Sequence, residues 1–380
     1  MSNLEKKEME IFNSRFSNSV RDLEASGIRK IFEAAGPGSV NMGIGQPDFD
    51  TPEHIKKAAI KAINDGFTGY TPGPGYLELR NALSNKFKTE NEIDVGVDEI
   101  IVTSGASEAI FLALSSLINP GDEVLIPNPG FVSYSSTVKI LNGKVIGVSL
   151  NEDMTIDVDS VLEQINPKTK ALIMNSPGNP TGAVESEENI KALAEIATDM
   201  DITIISDEVY EHFIYEGVHK SPAKFSENVI TVNACSKTYA MTGWRIGYAA
   251  ADVKYIEQMG KVHQYVQACA NSIAQKAAYA ALTGPQDSVK IMRDEFLKRR
   301  DILISGLKEL QIECNVPKGA FYAFPKVENC EATVQKLLKA GLITTPGTAF
   351  GTNGKDHIRL SYACSIDDIE KGLEIMEKVL

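Results

Sequence analysis

Positive charge is in short supply. Across 380 residues, 38 lysines and arginines face 51 aspartates and glutamates, a net charge of −13. A nucleic-acid backbone or an anionic membrane surface would repel such a chain, so neither is expected as a partner. Long apolar runs are missing too. The longest clearly apolar stretch, Ala109 to Leu114, is far short of the roughly 20 residues that cross a bilayer. The N-terminus, MSNLEKKEMEIF, mixes acids with bases around no apolar centre, which argues against a secretory signal. The five cysteines are scattered and form no C-x-x-C, the usage of a reducing compartment, so a cytoplasmic location is expected. The five histidines form no H-E-x-x-H and pair with no cysteine, and no metal is expected. Neither a G-x-G-x-x-G fingerprint nor a Walker A loop is present, which removes the usual nicotinamide and nucleotide signatures.

What is there is an ordinary globular composition, 43% hydrophobic and 23% charged. The length suggests two to three domains. Between about residues 100 and 250, short apolar runs alternate with helical patterns. IIVT (100–103), EVLI (123–126), KVIGV (144–148), KALIM (170–174), ITIIS (202–206) and VITVN (229–233) read as strands. Residues 104–118 and Ser186 to Met200 read as helices. The strands are too apolar for one face to meet water, which predicts an α/β fold with a mostly parallel sheet between helices. Further on, a charged helix from Ser288 to Leu310, the runs AFYAF (320–324) and HIRLSY (357–362), and a final helix predict a smaller α+β domain. The first 45 residues carry one expected helix, Arg21 to Ala35, and no sheet of their own. They are assigned with residues 286–380 to the small domain, leaving 46–285 as the large one.

Five short motifs lie at strand ends or tight turns. SGAS (104–107) joins a strand to a helix, where backbone N–H groups and the hydroxyl of Ser107 suit a phosphate; by itself it reads more readily as a glycine turn with a serine cap. Asp207 ends ITIIS, at the sheet edge where ligands of open α/β folds sit; it is an acid for a cationic ring nitrogen or a helix cap. In CSKTYAMTGWRIGY (235–248), Lys237 lies among small and apolar residues that would favour a neutral amine able to form a Schiff base. Ser236 and Arg245 flank it as phosphate ligands, although a lone lysine is more often solvated. NSPGNPTG (175–182) offers the Asn179 amide. Arg359, in HIRLSY, suits a bidentate carboxylate clamp or a structural salt bridge. A phosphate cradle, an amine, an acid and a carboxylate clamp together are the parts that pyridoxal phosphate needs to act on an α-amino acid.

The set resembles the class I/II aminotransferases of pyridoxal-phosphate fold type I. The resemblance runs through GIGQPDFDTP (43–52), YTPGPGYLELR (70–80), NPGFVSY (128–134), NSPGNPTG, SDEVYEHFIY (206–215), SKTYAMTGWRIGY, PKGAFYAFP (317–325) and PGTAFG (346–351) with HIRLSYA. It is closest in character to archaeal aspartate and aromatic aminotransferases. It implies a mixed seven-stranded sheet and pyridoxal 5′-phosphate as cofactor. Lys237 is then the residue that binds the cofactor aldehyde and moves the substrate proton. Asp207 holds the ring nitrogen protonated, Tyr210 and Asn179 meet the ring hydroxyl, and Phe131 stacks on the ring. Ala106, Ser107, Ser236 and Arg245 hold the phosphate. Arg359 grips the substrate α-carboxylate, helped by Asn179 and the backbone near Gly45. Tyr70 reaches the cofactor of a neighbouring subunit, which implies a homodimer.

The resemblance implies ping-pong transfer of an α-amino group between an L-amino acid and a 2-oxo acid. Aspartate with 2-oxoglutarate is favoured, with aromatic amino acids next and a pyridoxal-phosphate lyase as the more distant alternative. Ser107 stands where some aspartate-selective bacterial relatives carry lysine. Arg21, Arg29, Lys30 or the stretch His263 to Asn271 are the candidates to meet a distal carboxylate instead.

Overall fold

The computed structural model describes residues 15–21, 23, 36 and 38–380. A two-residue strand, β1 (Val40–Asn41), precedes the strands of the central sheet. These are β2 (Ile100–Thr103), β3 (Glu123–Pro127), β4 (Lys144–Val148), β5 (Thr169–Asn175), β6 (Thr203–Asp207), β7 (Val229–Ala234) and β8 (Gly247–Ala250). Their order is β2-β8-β7-β6-β5-β3-β4. Only β8 runs against its neighbours, β2 and β7; the other pairings are parallel. This is the expected mixed, mostly parallel sheet of seven strands.

Unbroken apolar runs dictate that centre. Successive strand residues point to opposite faces, and here both faces are covered. Val124, Ile126, Ile173, Ile205 and Val232 pack on Leu112 and Ala113 of the helix Ala106–Leu117 and on Met259 of the helix Val253–Val266. Their neighbours Leu125, Leu172, Met174 and Ile204 pack the other way, against Ile190 and Leu193 of the helix Glu187–Asp199. That helix starts where sequence reading put it. Ser186 is its N-cap, accepting a hydrogen bond from the Asn189 N–H at 3.1 Å.

A second body of structure is built from β9 (Tyr322–Ala323), β10 (Leu342–Ile343), β11 (Thr345–Pro346) and β12 (Ile358–Ser361). β11, β12 and β9 form a small antiparallel sheet, and β1 pairs in parallel with β10. The helices Asp287–Glu309, Cys330–Lys339 and Ile366–Val379 bury Leu303, Leu307, Leu337 and Met376 against it, and Val40 and Met42 join the same cluster. The N-terminal stretch thus donates a strand, where none was expected. Arg21 closes a single helical turn, Asn18–Arg21. The remainder of the helix expected over 21–35 falls outside the described residues apart from Leu23, which is not helical. Arg29 and Lys30 also lie outside them.

Three other expectations change. The helix after β2 begins at Ala106, not Ser104, because Gly105 takes φ 79°, ψ 167°, outside the helical region. AFYAF yields only two strand residues, since Ala320 sits at φ 55° and turns the chain. β8 was hidden inside a motif read for its chemistry alone. Among the described residues no helix is long and apolar enough to cross a membrane.

Ile205 is fully buried in the central strand that ends in Asp207. Ile205→Ala is expected to lower unfolding free energy by about 2–5 kcal/mol, measured by urea denaturation; an unchanged midpoint would show that this strand does not sit in a packed core.

Candidate active site

Parallel strands end together, so their terminal residues converge. Asn175, ending β5, is the register partner of Asp207, ending β6. Gly247, opening β8, is paired with both Thr103 at the end of β2 and Ala234 at the end of β7. The turns that follow these ends enclose a cavity of about 510 Å³. Gly45, Ala106, Ser107, Phe131, Asn179, Asp207, Tyr210, Ser236, Lys237, Arg245 and Arg359 all line it. Of the site residues named from sequence, only Tyr70 is outside; it is 91% exposed on the surface.

At the centre is Lys237, on the single helical turn Cys235–Thr238 that follows β7. Its Nζ donates to the Gly45 carbonyl at 2.6 Å and lies 5.9 and 5.8 Å from the ring centroids of Tyr210 and Phe321. Part of the side chain opens on the cavity, yet the surroundings withhold bulk water. Burial, aided by the nearby Arg359 cation, pulls the amine down to about 8. Gly45 has to be glycine here, because a Cβ would stand 1.9 Å from the Tyr322 hydroxyl oxygen.

Asp207 is 4% exposed. Burial raises its carboxyl to about 6, against the opposing effect of a 2.7 Å hydrogen bond donated by the Tyr134 hydroxyl to Oδ2. Its backbone carbonyl accepts from the Asn175 side chain at 2.9 Å, so β5 and β6 hold it at a fixed place. The Tyr210 hydroxyl meets that of Tyr322 at 2.8 Å. Phe131 caps the helix Val132–Ile140 and packs edge-on against Tyr134.

The other end of the cavity is equally constrained. Ala106 and Ser107 open the first turn of their helix, leaving unpaired N–H groups and the positive end of its dipole toward the cavity. Arg245 adopts φ 51°, a left-handed conformation unusual for a side-chain-bearing residue. Its Nη1 donates to the Thr242 carbonyl at 3.0 Å. A Cβ on Gly105 would lie 2.6 Å from Arg245 Nη2, and one on Gly247 2.6 Å from the Ala106 nitrogen. Two glycines therefore let guanidinium, turn and helix start share one corner.

Arg359, on β12, is 2% exposed. Nη1 donates to Asn179 Oδ1 at 3.0 Å, and Nη2 to the Gly43 carbonyl and, at 3.5 Å, to the Thr345 hydroxyl. Its guanidinium lies over the rings of Tyr322 and Phe350, 4.7 and 4.9 Å from their centroids. Among the described residues Nε has no partner. No carboxylate among them comes within 4.0 Å of Arg359 or of Arg245. Within those residues the buried Arg359 cation is paired only with neutral groups, and the salt-bridge alternative finds no partner.

A family model described as aminotransferase class I and II matches residues 37–376. The chain is 48% identical to the probable aspartate aminotransferase of Methanocaldococcus jannaschii, covering 96% of this chain and 99% of that one. The chain belongs to the class I and II aminotransferases. It is also 39% identical to aromatic-amino-acid aminotransferase 2 of Thermococcus litoralis, over 96% and 98% of the two chains. Among solved structures, the aspartate aminotransferase from Thermus thermophilus with maleate matches with a TM-score of 0.93 at 39% identity, over 96% of this chain and 99% of that one.

Within this aminotransferase, sequence reading overlooked Tyr134, Tyr322 and Asn175, each inside a motif that it had quoted. The signal for Tyr134 was its spacing, three residues after Phe131 on the same helical face. Tyr322 gave none, because its contacts to Tyr210 and Arg359 join residues far apart in the chain. On the reverse side of the 207–211 segment, Glu208, Glu211 and His219 converge, as do Glu90, Glu211 and His212, with the Lys86 ammonium bonded to Glu211 among them. Of the candidates for a distal carboxylate, His263 is buried against Glu108 at 2.8 Å, away from the cavity.

Competitive acetylation of the apoprotein across pH 6–11, with peptide mapping, is expected to give Lys237 a midpoint near 8. A midpoint in the ordinary lysine range would contradict the desolvated setting.

Proposed function

We propose that this aminotransferase moves the α-amino group of aspartate to a 2-oxo acid such as 2-oxoglutarate, in ping-pong fashion, with pyridoxal 5′-phosphate as its cofactor. The observation that carries the reading is one cavity holding a desolvated amine, a buried acid and two arginines that have no carboxylate partner among the described residues. The cavity suits that cofactor at each end. Ala106, Ser107, Ser236 and Arg245 would hold its phosphate, Phe131 and Tyr210 its ring with Asn179, Asp207 its ring nitrogen, and Lys237 its aldehyde. When bound, it supplies an electron sink for the negative charge left at the substrate Cα.

The protein's own part follows from the geometry. Arg359, fixed by Asn179 and the Gly43 carbonyl, binds the α-carboxylate and orients the substrate. Lys237, with an amine near 8, takes a proton from Cα and returns it one position away. A substrate carboxylate on Arg359 cancels one of the charges that depress this amine, so binding itself strengthens the base. At neutral pH Asp207, near 6, is mostly a carboxylate and holds a proton on a cationic ring nitrogen.

The preference for aspartate is supported by the name of the Methanocaldococcus relative and by the dicarboxylate in the Thermus structure. An aromatic donor is the second reading. Ile110, Phe131, Val132 and Tyr322 make much of the wall apolar, and Lys237, Arg245 and Arg359 are the only lysines or arginines among the described lining residues. A homodimer in the cytoplasm is part of the proposal; Tyr70 is exposed outside its own cavity, where a partner's site would find it. So is the division into residues 46–285 and 1–45 with 286–380, supported by the cluster that joins Val40 and Met42 to Leu303 and Leu342.

Adding each amino acid to the holoenzyme and following the half-reaction optically is expected to rank aspartate first; a panel led by tyrosine or phenylalanine favours the second reading, and no conversion by any amino acid refutes both. Arg359→Ala is expected to weaken both amino-acid and oxo-acid binding with the fold intact, and unchanged KM values for both would place the carboxylate site elsewhere. Asp207→Ala is expected to cost about 3–5 kcal/mol of transition-state stabilisation, the scale of a broken buried charge pair, read as kcat/KM.

A further inference from the structure

Residues at and just after the end of β6 face opposite ways. Asp207 and Tyr210 line the cavity, whereas Glu208 and Glu211 turn inward and are almost wholly buried. Every oxygen of these two acids has a partner. Glu208 Oε1 accepts from the Ser206 and Ser221 hydroxyls at 2.8 and 2.6 Å, and Oε2 lies 2.8 Å from His219 Nε2. Glu211 accepts from Asn233 and Asn91 at 2.7 Å each and pairs with the Lys86 ammonium. Lys86 pairs with Glu211 and lies 3.8 Å from Glu90, and His212 stands 3.5 Å from Glu211. Among the described residues Glu208 has one ion-pair partner, His219, so the compensation of its charge turns on whether His219 carries a proton.

The groups facing His219 are Glu208 and Glu211 from the same loop and Lys86 from the helix Leu77–Lys86. Lys290 and Arg293 of the helix Asp287–Glu309 line, with Glu90 and His212, a surface pocket that His219 shares. That pocket gives the imidazole a path to solvent protons. Asp207, for its part, is hydrogen-bonded to Tyr134 and feels the charges of Lys237 and of Glu208, the next residue in the chain.

We propose that His219 and Glu208 are positioning residues that set the charge of Asp207. With a proton on His219 the Glu208 charge is paired and Asp207 ionises more readily; without it, Glu208 leaves an uncompensated negative charge on the residue next to Asp207. The proposal rests on the reading of Asp207 as the acid that meets the ring nitrogen, and it makes the site sensitive to a proton bound on the far side of the strand. Two directions agree with the geometry. Burial opposes a charged His219, but Glu208 and then Glu211 outweigh it and hold its pKa above the ordinary histidine value. Asp207 is raised chiefly by burial, and the Glu208 charge adds to the rise.

The test is a ¹³C NMR titration of the Asp207 carboxyl in the apoprotein, assigned with Asp207→Asn. His219→Gln keeps a donor for Glu208 but no charge, and is expected to move the midpoint up from about 6 by roughly half a pH unit or more. Glu208→Gln is expected to move it down, and the double variant to follow Glu208→Gln. A merely structural role does not give shifts of opposite sign. Coincident midpoints, or shifts in one direction for both single variants, overturn the proposal. Should Glu208→Gln fail to fold, His219→Gln decides alone: an upward shift supports the proposal and an unchanged midpoint overturns it. Retained turnover in Asp207→Asn would instead count against the role of Asp207 and leave the titration result standing.

Discussion

Three cations share one enclosed cavity with one carboxylate, and most of what is distinctive about the fold serves that imbalance. Lys237, Arg245 and Arg359 line the same space, with Asp207 as the single acid among the described lining residues. Lys237 and Arg359 lie close together away from bulk water, where like charges repel, and the group more able to give up its charge does so: the lysine, pulled down by burial and then by Arg359. A chain with a large acidic excess overall has thus gathered a local positive site. That resolves the apparent conflict between a net charge of −13 and an anionic ligand.

Holding such a site together requires help from neutral groups. Arg359 is kept in place by a side-chain amide, a backbone carbonyl, a hydroxyl and two aromatic faces, none of which cancels its charge. The arginine at the other end has room because Gly105 carries no side chain, and Gly247 makes room for the Gly105–Ala106 backbone. The Arg359 arrangement is not what stability alone would select, since a buried cation with no counter-ion among the described residues is costly. The central sheet, with both faces packed, supplies the rigidity that this unfavourable placement needs.

Much of this was legible in the sequence because the motifs sit at strand ends, and strand ends of a parallel sheet must meet. SGAS, Asp207 and Lys237 could be placed on one edge once IIVT, ITIIS and VITVN were read as strands. Other features left weaker traces. β8 was obscured because Gly247 to Ala250 is short and adjoins an arginine that drew the attention. Tyr322 joins Tyr210 and Arg359 through contacts that no periodicity encodes. Glu208 and Glu211 carry no signal of their own, since nothing local announces that Lys86, Asn91 and Asn233 will come from elsewhere to surround them. The group that would read a substrate side chain has no signature in the motifs, and the N-terminal candidates Arg29 and Lys30 fall outside the described residues.

The reversed strand has a mechanical corollary. Since β8 returns antiparallel beside β7, the excursion from Ala234 to Gly247 leaves and re-enters the sheet at a single edge. Lys237 and Arg245 ride that one short loop, pinned at both ends to adjacent strands. An insertion or deletion there cannot be absorbed at either end, so an engineer who changes the length of this loop disturbs the placing of amine and guanidinium together.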